Sequence, residues 1–232
     1  MLTPELLRKL RSVDTPTICN ALEFAMGGRS AQGFTYGTLI AAPMPLPAMV
    51  GYARTARIRA RAPSQRPAGE VRQTRLDYYR YVAARVNEPT VVVMQDMDER
   101  PGIGSFWGEV NSAVHHGLGV AGVLTNGSVR DLGELTPTFP VLAGSIGPSH
   151  AFVHVIDFGT PVAVFGLSVA HDTLIHADRH GAVLIPERVV AALPECIDRV
   201  QRKEAPILAA ARGSGFDFGA LEQALKSAED IH

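Results

Sequence analysis

Two short apolar runs, Thr-Val-Val-Val-Met at residues 90–94 and Val-Ala-Gly-Val-Leu at 120–124, flank a glycine-rich loop and a helix-length segment at 106–116. Continuous runs of this kind suit strands buried on both faces. Strand, loop, helix and strand in that order leave one simple topology: two parallel strands joined by a crossover helix. In α/β sheets, ligands collect beyond the carboxyl ends of such strands. Both runs end in turn chemistry there, Pro101-Gly-Ile-Gly-Ser105 after the first and Asn126-Gly127 after the second.

The flanking chain is read the same way. Thr3-Pro4 and Thr15-Pro16 each set an N-cap residue before a proline suited to the first helical turn. They predict helices at 4–11 and 16–25, the second ended by Gly27-Gly28. Residues 49–61 predict a half-solvated strand, where Arg57, Arg59 and Arg61 alternate with Ala56, Ile58 and Ala60. A helix is expected over 71–86. Closely spaced strand-like runs at 140–143, 153–157, 161–165 and 182–186 point to a compact barrel or sandwich in the later half. Asp178 to Gly181 reads as a hairpin turn. A C-terminal helix is expected from near 186 to about 212, with a break at Pro206. The expectation is one domain over 1–232, with N-terminal helices in 1–26 and a helical extension over 186–232.

Composition narrows the function classes. Hydrophobic content of 46% and charged content of 19% are ordinary for a globular protein. A formal net charge of −1 argues against a dedicated nucleic-acid binder. The two cysteines, Cys19 and Cys196, form neither a disulfide framework nor a metal motif, which fits a reducing compartment. No apolar run is long enough to span a membrane and the N-terminus lacks a signal-peptide core, so a soluble, cytoplasmic protein without membrane partners is expected.

Chemistry concentrates past the second run. Arg130 can fork onto an anionic oxygen, while Asp131 can hold a hard cation. Glu134 lies three residues on, a helical spacing that suits a magnesium site completed by water. Opposite, Gly102 and Gly104 permit close backbone approach, Ser105 is a plausible N-cap, and free amides at such a helix start bind carboxylates or phosphates. The competing reading is a solvated ion pair beside a glycine-rich connector. The loop is neither G-x-G-x-x-G nor a P-loop.

Other constellations weigh less. His171, His176 and His180 match no zinc spacing. Asp96 and Asp98 read as turn caps. Nine arginines between positions 54 and 85, interleaved with Tyr78, Tyr79 and Tyr81, could stack single-stranded nucleic acid. A solvated or subunit-contacting face explains them better.

Several ordered motifs resemble the RraA-like superfamily: Phe106-Trp-Gly-Glu109, Arg130-Asp-x-x-Glu134, and Gly166-Leu-Ser-Val followed by His176-Ala-Asp-Arg-His-Gly-Ala-Val-Leu-Ile-Pro186. Asp14-Thr-Pro-Thr and Asn20-Ala21 fit the family's opening. The resemblance implies an α/β fold, a three-layer β/β/α swivelling domain with N-terminal helices and a C-terminal helix, assembled as trimers or hexamers with sites at subunit interfaces. It implies a metal-dependent lyase that cleaves a 4-hydroxy-2-keto acid of the 4-hydroxy-4-methyl-2-oxoglutarate type to pyruvate and decarboxylates oxaloacetate. Asp131 would anchor Mg2+ or Mn2+, with Glu134 a second candidate. Arg130 would contact the pyruvyl oxygens, and amides of Ser105, Phe106, Trp107 and Gly108 would hold the carboxylate. Glu204 resembles an acid that acts from the neighbouring subunit. The family also holds a non-catalytic ribonuclease inhibitor, a branch in which the aspartate of the Arg-Asp pair is absent; here Asp131 is present. A lyase for a sugar-derived keto acid on the same scaffold is the other alternative. The segment 62–80 and Trp107 depart from the short aldolases.

Overall fold

A computed structural model describes residues 2–84 and 88–231. Along the chain it forms α1 (Pro4–Arg11), α2 (Thr15–Met26), β1 (Ile40–Ala42), β2 (Met49–Arg59), α3 (Ala68–Ala83), β3 (Thr90–Asp96), α4 (Glu109–Gly117) and β4 (Val120–Thr125). There follow β5 (Ser128–Val129), β6 (Val141–Ala143), β7 (Ser145–Ile146), β8 (His154–Phe158), β9 (Val162–Val164), β10 (Leu167–Val169), β11 (Leu174–Asp178) and β12 (Gly181–Ile185). A 3-10 turn (Glu187–Ala192), α5 (Leu193–Arg212) and α6 (Phe218–Glu229) complete it. The expected end of α3 at Val86 falls outside the described residues.

The chain divides into two compact units, Met1–Thr15 with Ala31–Pro186 and Pro16–Ser30 with Glu187–His232. In the first, the long strand β2 is the spine. One edge pairs in parallel with β3 along Tyr52 to Ile58. The other edge is shared, its first half antiparallel to β11 and its second half antiparallel to β8. Sheet order runs β1-β6-β4-β3-β2-β11-β12, with β2–β3, β3–β4 and β4–β6 parallel. The crossover expected from the sequence is therefore present, with α4 between β3 and β4.

Alternation along β3 explains the layers. Val92 and Met94 join a core with Tyr78, Trp107 and Phe139, while Val91 and Val93 point the other way, to Val162, Val164 and Leu167 of β9 and β10. Both faces of the sheet are thus covered, by helices on one side and the β9–β10 hairpin on the other. Burying the larger of these side chains is worth about 1.5–3 kcal/mol each.

Local signals account for several boundaries. Thr3 Oγ1 accepts the Leu6 amide at 3.2 Å and starts α1 where proline fits. The histidines are not a metal set. His176, fully buried, bonds Thr15 Oγ1 through Nδ1 (3.0 Å) and donates Nε2–H to Leu10 O (3.0 Å), pinning α1 to β11. His180 pairs with Asp178 inside the β11–β12 hairpin turn. Among the described residues no group of three or more His, Cys, Asp or Glu could hold a metal.

In the second unit, Asn20 Nδ2 donates to Glu204 Oε1 at 3.5 Å and Arg199 stacks 4.4 Å over the Phe24 ring. The break expected at Pro206 does not occur, and α5 runs through it. Asp217 caps α6 by accepting the Ala220 amide at 2.8 Å. No helix among the described residues is long and apolar enough to cross a membrane.

Candidate functional site

The carboxyl ends of β3 and β4 are stitched together by one side chain. Asn126 Oδ1 accepts the Asp96 amide at 2.7 Å, and its Nδ2 donates to Asp96 O at 3.1 Å. Asp96 in turn takes the amides of Asp98 (3.0 Å) and Gly102 (2.7 Å), shaping the loop after β3. Burial raises its pKa against those bonds. Asp98 accepts the amides of Ala60 and Arg61. Both acids cap turns, as expected.

The loop reaches α4 differently from the sequence expectation. The helix begins at Glu109, and its N-cap is Gly108, not Ser105. Ser105 Oγ instead lies 2.7 Å from Ser128 Oγ, and the Ser105 amide donates to Ser149 O at 2.9 Å. That amide is therefore not available to a ligand, which corrects its place in the expected cradle. Trp107, 0% exposed, forms a parallel bridge with Val129, and its carbonyl accepts the Arg130 amide at 3.0 Å. Tertiary pairing and burial of two aromatic rings have displaced the first turn of the helix. Phe106 and Gly108 line a cleft, and their amides donate to no acceptor among the described residues.

The loop thereby lies against Arg130 and Asp131. Asp131 adopts the left-handed conformation, φ 54°, which aspartate tolerates better than most residues. Its Oδ2 accepts the Glu109 amide at 3.2 Å and stands 3.4 Å from Arg130 Nε. It caps α4 from across the site, where the helix dipole favours a carboxylate. The approach needs Gly108, because a Cβ there would stand 2.5 Å from Asp131 Oδ2 and 3.0 Å from Arg130 Cγ. Asp131 Oδ1 accepts no hydrogen bond from the described residues. The side chains are 35% exposed for Arg130 and 32% for Asp131.

Glu134 is exposed, in a turn closed by its own amide donating to Asp131 O at 2.9 Å. The helical spacing expected for Asp131 and Glu134 is absent, although both carboxylates remain open to solvent. Glu204 belongs to the second unit, where its carboxylate accepts the Asn20 side-chain amide at 3.5 Å.

Behind the site sits an aromatic block. The His115 ring lies 4.6 Å from Trp107, donates Nδ1–H to Asn111 O at 2.7 Å, and faces the Tyr78 hydroxyl at 2.8 Å through Nε2. Burial pushes its pKa down to about 4, so it is neutral and structural at pH 7.

The cleft measures about 730 Å3, within the range of small-molecule sites. Besides Phe106, Gly108 and Arg130, its walls carry Arg66, Arg72, Arg75, His150 and His154, none of which the sequence analysis selected. The arginines were visible only as a basic segment. The face Ala68, Val71, Arg72 and Arg75, at helical spacing, was the signal that could have separated them. His150 and His154 each donate Nδ1–H to a nearby carbonyl, Ala151 O and Phe152 O, at 2.8 Å.

Parallel strands ending in a guanidinium, a free carboxylate oxygen and unpaired amides set a polar cleft at the strand ends of an α/β protein, the place where ligands collect in such sheets. The chain belongs to the RraA-like family (Aldolase/RraA), which matches residues 15–184. It shares the family's mixed α/β fold, with the sheet curled into a half-barrel. Among solved structures it is similar to an uncharacterized protein from Pseudomonas syringae pv. tomato str. DC3000 (19% identity, 98% of this chain and 97% of that chain covered, TM-score 0.70). It is also similar to RraAS2 of Streptomyces coelicolor, described as an unusual member of the RNase ES inhibitor RraA protein family (21% identity, 91% and 98% covered, TM-score 0.62). A third likeness is to a structure described among novel cellulases from microbes associated with the gut ecosystem (16% identity, 88% and 87% covered, TM-score 0.70). No curated protein matches the sequence. At these identities the likenesses establish the fold alone.

Proposed function

We propose that the protein is a divalent-metal-dependent carbon–carbon lyase that cleaves a 4-hydroxy-2-oxo acid of the 4-hydroxy-4-methyl-2-oxoglutarate type to pyruvate and decarboxylates oxaloacetate. The family includes both metal-dependent aldolases or decarboxylases and ribonuclease inhibitors. The observation that carries the catalytic reading is the division of labour at Asp131. Its Oδ2 is engaged by the Glu109 amide and Arg130, while Oδ1 is free beside the arginine-lined cleft. That donor set fits Mg2+ or Mn2+, hard cations that take one or two protein carboxylates and fill the remaining positions with water. Asp131 would hold the ion, with Glu134 as a ligand through water. Bound there, the cation would supply Lewis-acid polarisation of the 2-oxo carbonyl.

The chain's own residues perform the other tasks. Arg130 donates to the pyruvyl oxygens, and the amides of Phe106 and Gly108 hold the adjacent carboxylate. Cleavage requires loss of the 4-hydroxyl proton. C4 then becomes a carbonyl as the C3–C4 bond breaks, and its electron pair is delocalised into pyruvate enolate. Arg130 opposes the charge that grows on the C2 oxygen. A proton delivered to C3 completes pyruvate, and Glu204 of an adjacent copy is the acid–base group assigned to these transfers. Oxaloacetate follows the same electron flow with CO2 leaving from C3. Among the described residues no lysine lines the cleft, so a Schiff-base route lacks its amine.

The test is pyruvate release from oxaloacetate and from 4-hydroxy-4-methyl-2-oxoglutarate, followed by a coupled assay. Turnover that EDTA abolishes and Mg2+ restores is expected. Absence of pyruvate from both substrates, together with inhibition of an RNase E-type ribonuclease, would replace the lyase with the regulator. Light scattering of the purified protein checks the trimeric or hexameric assembly proposed with it.

A further inference from the structure

We propose that Arg72 and Arg75 of α3, with Arg66 before it, form a second anion subsite in the same cleft, which reads the distal carboxylate of a dicarboxylic 2-oxo acid. The inference rests on the 2-oxo-acid reading of the Arg130 end and adds which residues meet the distal carboxylate that both proposed substrates carry.

The helix itself supplies the geometry. Ala68, Val71, Arg72 and Arg75 follow one another at i, i+3, i+4 and i+7, and all line the cleft. The same face continues to Tyr78 and Val82, which are buried in the core, so the later half of α3 anchors the helix and fixes the direction of its arginines.

The guanidinium groups are positioned without being neutralised. Arg66 donates to Thr74 Oγ1 (3.1 Å), Val155 O (2.8 Å) and Ile156 O (3.3 Å), all uncharged acceptors. Arg75 donates from Nε and Nη2 to the Tyr79 hydroxyl at 3.1 Å, and that hydroxyl donates to Asn111 Oδ1 at 2.7 Å. Asn111 lines the cleft and bonds the Phe106 carbonyl, so α3 is linked to the amide cradle. Arg72 has no hydrogen bond or ion pair among the described residues. No Asp or Glu is among the described residues lining the cleft.

Several positive charges converging on a concave surface with no acidic partner attract an anion, and arginine forks suit a carboxylate. A substrate with only its pyruvyl carboxylate would satisfy Arg130 and leave the α3 charges to water. A 2-oxo dicarboxylate satisfies both ends.

Calorimetry on the full chain with Mg2+ provides the test, using pyruvate as the one-ended probe and 2-oxoglutarate as the two-ended one. The wild-type protein should bind 2-oxoglutarate at least about tenfold more tightly than pyruvate, the size expected for a charged hydrogen-bonded contact. In the R72Q/R75Q double variant that preference should shrink to within about threefold. R80Q, which removes an exposed arginine of the same helix outside the cleft, should keep the wild-type preference. Equal binding of both probes by the wild type, or an unchanged preference in R72Q/R75Q, overturns the subsite while leaving the Arg130 end intact. Failure of the wild type to bind either probe overturns both readings.

Discussion

Two arginine–aspartate pairs in the first unit share residue types and even backbone conformation, yet are finished differently. Asp131 and Asp172 both sit in the left-handed region, at φ 54° and 61°. Arg54, on β2, has a side chain only 7% exposed. Its Nη1 donates to Asp172 Oδ1 at 3.2 Å, and its guanidinium lies 5.1 Å over the Tyr81 ring. Asp172 Oδ2 is taken by His171 Nε2 at 3.1 Å, and His171 Nδ1 meets the Tyr81 hydroxyl at 2.8 Å. Both oxygens of Asp172 are thus taken by donors of the protein itself, while Arg54 Nε is buried without a partner among the described residues. At Arg130–Asp131 one carboxylate oxygen is left over and the guanidinium faces a cleft. A carboxylate with both oxygens taken is committed to the fold; one with an oxygen left open beside a cavity has a position to offer a ligand.

Substitutions can break this contrast. The largest effect is expected from Arg130→Ala, which should lower kcat/KM for oxaloacetate by about 3 kcal/mol in barrier, some hundredfold or more, with an almost unchanged melting temperature. A large loss of stability with retained turnover would invert the roles of the two pairs. Asp131→Asn keeps a residue that accepts the left-handed backbone. It should cost about a hundredfold in Mg2+-dependent rate, since a bound ion is worth several kcal/mol of transition-state stabilisation; full turnover in the variant removes Asp131 from the metal role.

A third measurement sharpens the contrast by testing the wall behind the open pair. His115 titrates at about 4 when folded and near 6.5 when unfolded. Between those values the unfolded chain binds a proton that the folded chain refuses. Its contribution is therefore intact above pH 6.5 and lost as pH falls, about 3 kcal/mol across the window. Burial lowers the His176 pKa as well, so the wild type loses more than this in acid. The difference between wild type and His115→Gln in chemical denaturation isolates the His115 share, and identical pH slopes would contradict it. The smallest effect is expected from Arg54→Met, a loss of about 2 kcal/mol in unfolding free energy with turnover kept within twofold. Loss of turnover in that variant, with stability unchanged, would erase the distinction.

The sequence made only one of the two pairs visible, because Arg130 and Asp131 are adjacent while Arg54 and Asp172 lie 118 residues apart. The same divide runs through the fold. Thr3-Pro4 set α1 at Pro4–Arg11, and the apolar runs marked β3, β4 and the helix between them, since those signals are local. The two-residue strands β5 and β7 have no periodicity to read. The start of α4 was misplaced because Ser105 has the chemistry of an N-cap, and only the folded chain brings Ser128 to it. Glu134 was set on a helix that turns out to be a turn. Arg72 and Arg75 showed their common face in the spacing, but what stands across from it comes from segments near 105–111 and 150–155.

The left-handed backbone at Asp131 also bears on how such a site can be lost. Besides aspartate, the residues that accept this conformation with least strain are asparagine and glycine. Each is a single-nucleotide change from an aspartate codon, and asparagine still carries a side-chain oxygen for the Glu109 amide that caps α4. A lineage could therefore lose the proposed chemistry in one step while keeping the protein folded.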